Sequence, residues 1–397
     1  MTARHPRNSG RKALEAFLST ETVGGVVLFA ATVLALLWEN SPWHGAYEHL
    51  WEIQLVHVGW LVDIDVSVHF FVNEILMTLF FFVVGLEIRR EMHDGALSSL
   101  KLAALPIAAA AGGVAVPALL YLVIGGDSTH AGGWAVPTAT DIAFAVGVLA
   151  LLGKRVPPAL RALLLALAIA DDVAAIVIIA AVFAGGVSLG GLEIAAAGVA
   201  LALALRKLGV RAEIVYALPA AVLWVGLLDA GIHPVLAGVI MGLLTPMTPR
   251  RAGEPPAAVR IERLLHPWIA FLVMPLFALA NAGIRIGGID LGDPALRTLV
   301  NAVAVGLIAG KPLGIVSTAW LAVRLGWCAL PPGVRLSGVL VIGCLGGIGF
   351  TMAIFIATLA FPDTAALAAA KLAVLVGSAA AAVIGLTLGA SLLRRPS

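Results

Sequence analysis

Asp171 and Asp172 stand together in Ala162–Ala184, ALLLALAIADDVAAIVIIAAVFA, a 23-residue run with no other charged side chain. A helix of that length and composition crosses a bilayer, and an ionised group near its centre costs at least ~2.5 kcal/mol. Two adjacent carboxylates are not kept there for packing. Their chemistry is to bind a cation, a proton, or each in turn, unless a buried basic partner merely neutralises them. Lys311 is the one basic residue at comparable depth, with twelve largely apolar residues on either side in LVNAVAVGLIAGKPLGIVSTAWLAV. That is too many for its side chain to snorkel to the interface. Coulomb attraction in low dielectric favours a buried lysine beside a buried acid, so Lys311 is expected to pair with Asp171 or Asp172; the sequence leaves both open. Successive helix residues diverge by about 100°, so the two acids need not face one site.

A third acid, Asp141, lies in Val136-Pro-Thr-Ala-Thr-Asp-Ile142. Pro137 breaks that helix, and Thr138, Thr140 and Asp141 can supply oxygen ligands or cap the half that restarts. A second interruption falls at 343–351, GCLGGIGFT. Its glycines permit unwound backbone, which at membrane depth has to be buried or line a cavity; the bland alternative is small residues for close packing. Where half-helix ends meet, Asp141 would offset positive N-termini and Lys311 negative C-termini.

The elements that must position these groups are membrane helices. Hydrophobic residues make up 61% of the 397, charged residues only 12% against a soluble norm of about 25%, and mean hydropathy is +1.03. This predicts an all-α polytopic membrane protein, a single membrane domain over 1–397. The net charge of +2, with its basic residues dispersed, excludes nucleic acid as a partner. Cys328 and Cys344, the only cysteines, have no metal-ligand spacing and imply no disulfide framework.

Residues 1–20 are polar and basic, and no cleavage site follows a short apolar core, so no cleaved signal peptide is expected. Ala13, Leu14, Phe17 and Leu18 share a face opposite Arg11, Lys12 and Glu15, which predicts a short surface helix. Twelve apolar segments follow within 21–393, near 22–38, 68–88, 101–124, 134–152, 159–184, 190–206, 213–228, 231–246, 266–284, 298–323, 336–361 and 366–393. With that count, 21 of the 25 lysines and arginines fall on the side of the N-terminus and three on the other, Lys311 being the remainder. The asymmetry predicts both termini, including 394–397, on the cytoplasmic side of the membrane. Interrupted fourth and eleventh segments predict inverted repeats, segments 3–5 with 10–12, whose breaks cross near the midplane. Partial alternation over 53–66 predicts a hairpin with its turn near His57 to Trp60.

These motifs carry a family resemblance. TATDIAF (138–144), AIADDV (168–173), KPLGI (311–315) and GIGFTM (347–352) closely resemble the NhaA family of bacterial sodium/proton antiporters. FFVVGLEIRRE (81–91), GIHPVLAG (231–238), LHPW (265–268) and FALANAG (277–283) extend the match in order from about residue 12 to 393. The resemblance implies Asp172 as principal cation ligand, Asp171 contributing or pairing with Lys311, and Thr140 and Asp141 close by. It also implies a pH response at Glu87, Glu91, His233, Glu262 and His266, and a homodimer built on the hairpin. Two departures stand out: Glu74, where the family commonly has Asp, expected at a cavity wall without touching the site, and Arg263, where some members have His.

Chemically, desolvation pulls a buried carboxylate toward its neutral form, and Lys311 or helix dipoles pull it toward the ionised one. At balance, a proton competes with sodium or lithium for the same oxygens. The expected activity is therefore extrusion of sodium or lithium against external protons, electrogenic and activated at alkaline pH, with no cofactor and no enzymatic reaction. An intramembrane aspartyl protease is excluded by the lack of Gly-x-Gly-Asp, and a nucleotide-driven pump by the wrong glycine spacing of 306–312. A cation channel or sodium-coupled symporter is the stronger rival.

Overall fold

The structure is a computed structural model that describes residues 7–58, 64–125, 130–210, 212–249 and 254–393, with 7–22, 58 and 64 as backbone only. Among them, seven helices are long and apolar enough to cross a bilayer: Val68–Asp94, Leu100–Gly125, Pro158–Val182, Leu189–Lys207, Ala257–Gly288, Pro294–Arg324 and Thr364–Leu392. Three pairs qualify only jointly, bent at a short break: Val23–Glu39 with His44–Glu52 by 115°, Ala131–Thr138 with Ile142–Leu151 by 44°, and Leu336–Gly346 with Phe350–Ala360 by 48°. Ala217–Asp229 and Leu236–Leu244 have only 13 and 9 residues. The chain is thus an all-α multi-pass membrane protein, plus one small hairpin.

Helix starts follow local chemistry. Ser188, Asp293 and Asp363 accept hydrogen bonds from the backbone N–H of Gly191, Ala295 and Ala366, and Pro158 and Pro294 occupy first turns where their missing N–H costs nothing. Packing then depends on small residues. Leu100–Gly125 crosses Pro294–Arg324 at Gly112 and Gly314, where a Cβ on Gly314 would stand 2.0 Å from the Gly112 carbonyl oxygen. Backbones that close leave no room for any larger residue, and the contact fixes the helix one turn beyond Lys311.

Three helices carry a π-helical turn: Phe71–Leu76, Ile269–Val273 and Gly306–Gly310, the last ending directly at Lys311. Such turns redirect the side chains that follow and cluster at functional sites.

The hairpin pairs Gln54–Val58 with Ile64–Ser67 antiparallel, His57 opposite Asp65. Its first strand runs on through His57 to Val58, so a turn beginning at His57 is not formed; residues 59–63, which connect the strands, lie outside the described residues. The first helix is continuous over Arg7–Glu39, with no separate surface helix. The side chains of the expected amphipathic face, and residues 1–6 and 394–397, lie outside the described residues.

Candidate ion-binding site

Two breaks meet at the centre of the fold. In the first, Ala139 and Asp141 have extended backbone between the half-helices; in the second, Gly347 to Gly349 do the turning. They are joined through the main chain, where the Asp141 N–H donates to the Ile348 carbonyl at 2.7 Å. Thr140 Oγ1 donates to the Gly346 carbonyl at 2.7 Å, and Thr351 Oγ1 donates to Asp141 Oδ2. Asp141 also caps the restarting first helix, accepting from Phe144 N–H at 3.0 Å on Oδ1, as its position after Pro137 foretold.

Asp171 and Asp172 are both buried at 3% exposure, yet they face different neighbours. Lys311, fully buried, donates from Nζ to Asp171 Oδ2, which closes the choice that the sequence left open. Asp172 instead joins Asp141 on the wall of a cavity shared with Glu87, Arg90, His266, Ile169 and Met352, among others. Asp171, Glu87 and Asp141 all act electrostatically on Asp172 as like charges, and Lys311 as the opposite one. Two carboxylates on one cavity concentrate negative charge where a cation or protons can relieve it, while the neighbouring acid neutralises the lysine. Thr140 is off this wall, its hydroxyl spent on Gly346.

A family model described as Na+/H+ antiporter 1 matches residues 15–388. The chain belongs to that family. Relatives named Na(+)/H(+) antiporter NhaA include one from Cupriavidus necator, 50% identical over 95% of this chain and 89% of the relative. Another, from an Acidovorax strain, is 54% identical over 94% and 91%, and one from Bordetella petrii is 46% identical over 100% and 96%.

The other residues singled out for a pH response do not form one group in this antiporter fold. Glu87 and His266 line the cavity. Glu262 accepts from the Arg90 guanidinium, and Glu91 accepts from Ala96 N–H at 2.8 Å with Arg90 at 3.4 Å. His233 is elsewhere: its Nε2 lies 3.6 Å from Glu74 Oε1, 13 residues, or roughly 20 Å of helix, from Glu87. Glu74 is accordingly not on the wall of the Asp172 cavity, and Arg263 is exposed.

One residue that the sequence did not single out joins the site, and a second braces the half-helix behind it without touching an acid. Thr351 holds Asp141, and Ser378 accepts from Phe350 N–H at 3.1 Å. Ser378 is the only hydroxyl between Thr364 and Thr387, in a helix whose one charged residue is Lys371, a signal that could have found it.

Proposed function

We propose that this chain extrudes sodium or lithium from the cytoplasm in exchange for external protons. Asp172 is the principal cation ligand with Asp141 beside it, Asp171 holds the charge of Lys311, and Thr140, off the cavity wall, ties the two breaks together. The observation that carries this reading is the shared cavity of Asp172 and Asp141. Its remaining ionisable walls, Glu87, Arg90 and His266, lie toward the end of the Val68–Asp94 helix marked by Arg89 and Arg90. Hard oxygens suit sodium and lithium, and they bind either only when deprotonated. As pH falls, protons reclaim the oxygens, so half-saturating sodium rises about ten-fold per pH unit for one competing proton and about a hundred-fold for two. Two protons per cation make the exchange electrogenic and favour it at alkaline pH.

In the same reading the chain forms one domain of twelve spans: the seven long helices, the three bent pairs, and the short Ala217–Asp229 and Leu236–Leu244 helices. Both termini lie in the cytoplasm in this reading, which the distribution of basic residues supports. Two runs of long helix, broken helix and long helix, 100–182 and 294–392, are the inverted repeats, and their breaks cross near the midplane. The hairpin edge pairs with a second copy to form a homodimer. Glu87, Glu91, Glu262 and His266 adjust the pH response at the cavity mouth, and His233 acts from the other side.

Everted vesicles test the activity. Added sodium or lithium is expected to collapse an acid-inside gradient, faster when the membrane potential is allowed to drive it. Uptake of an organic solute with sodium, or sodium flux without counter-movement of protons, overturns the reading. Calorimetry on the purified protein is expected to show protons released as sodium binds.

A further inference from the structure

The two breaks are tied by hydroxyls that run in opposite directions. Thr140 on the first donates to a neutral carbonyl, that of Gly346; Thr351 on the second donates to Oδ2 of Asp141. The same Oδ2 accepts from Thr351 N–H at 3.2 Å, and Oδ1 accepts from Phe144 N–H at 3.0 Å. Thr351 is fully buried, so its hydroxyl cannot trade Asp141 for water. Bonds to an ionised acceptor are the strong ones, and donors on both oxygens leave a carboxylate little freedom to rotate. The backbone immediately before is held as well: Phe350 has φ +24° and donates its N–H to Ser378 Oγ at 3.1 Å. The second half-helix therefore starts with two N–H groups satisfied from other helices. One goes to Ser378, which carries no charge, the other to Asp141 on the cavity wall.

We propose that Thr351 is a positioning residue for ion exchange, its hydroxyl fixing the Asp141 carboxylate in the orientation that faces the cavity, so that sodium affinity depends on it. This rests on Asp141 belonging to the ion site. Ser378 separates the effect on ions from the effect on structure, because it caps the same half-helix without touching an acid. Thr351→Val keeps the methyl and removes the hydroxyl; Thr351→Ser does the reverse.

The test measures half-saturating sodium and maximal rate of proton release in everted vesicles, corrected for the amount of inserted protein. Thr351→Val, and Thr351→Ala as a second hydroxyl-free variant, are expected to raise half-saturating sodium roughly ten-fold, the factor for one hydrogen bond to a charged acceptor, with Thr351→Ser and Ser378→Ala within about two-fold of wild type. Wild-type half-saturation in the hydroxyl-free variants overturns the proposal. So does an equal rise in Ser378→Ala, which would make the effect one of helix capping, or in Thr351→Ser, which would assign it to the methyl. A wild-type protein that releases no protons on adding sodium instead sinks the underlying reading of the site.

Discussion

The two sides of the crossing are built from opposite materials. Toward Arg90 the walls include Glu87, Arg90, His266, Asp141 and Asp172 around a cavity. On the other side, one turn beyond Thr351, Phe355 packs against Phe81, Phe277 and His233 at ring separations of 5.6, 6.1 and 5.4 Å. Phe81, Phe277 and Phe355 are all buried, and His233 in turn lies 3.6 Å from Glu74. A site open to both sides at once would leak, and under the proposed exchange the close-packed rings are the candidate seal behind the acids. The asymmetry teaches that the acids alone do not make an exchanger.

Breaking each side should therefore have a different signature. The largest effect is expected from Asp172→Asn on the charged side, which keeps the shape and removes the charge: sodium-dependent proton release in everted vesicles is abolished while the amount of inserted protein stays normal. Next, Phe355→Ala opens a void among buried rings, a change that costs about 3–5 kcal/mol in cores. Thermal unfolding in detergent is expected to show that loss, and vesicles are expected to lose an acid-inside gradient without added sodium. An intact gradient would show that the rings are not the seal.

Glu262→Gln sharpens the comparison at the cavity mouth. It replaces the carboxylate that accepts from Arg90 and leaves a half-buried guanidinium with a weaker partner, costing about 1–3 kcal/mol. A lower unfolding temperature in detergent checks it. The smallest effect is expected from Glu74→Gln. Its 3.6 Å approach to His233 is beyond hydrogen-bond distance, and Gln keeps the size and shape of Glu there. Half-saturating sodium should match wild type; a large rise would mean that the sealed side reaches the ion site.

Much of this was legible before any folding. Helix lengths, the break at Pro137, the capping role of Asp141 and the depth of Lys311 all follow from local rules of solvation and backbone geometry. The pairing of Lys311 was not legible, because it depends on the rotation of Pro158–Val182 about its axis, and neighbouring residues differ by about 100° in direction. That rotation is set by what the helix packs against. Glu74 and His233 illustrate the same limit: they are 159 positions apart, and no periodicity couples them. The π-helical turn over Gly306–Gly310 left no mark in the hydropathy pattern, yet it immediately precedes Lys311.

By itself, then, the sequence determined that ionisable groups sit in lipid and that two helices are interrupted, since the cost of unsolvated charge and missing N–H donors is paid residue by residue. Only the tertiary structure decided that Asp171 neutralises Lys311 while Asp172 and Asp141 share a cavity, and that Thr351 holds Asp141. Those outcomes depend on which backbones approach closely enough, as at Gly112 and Gly314, to bring distant side chains within hydrogen-bond reach.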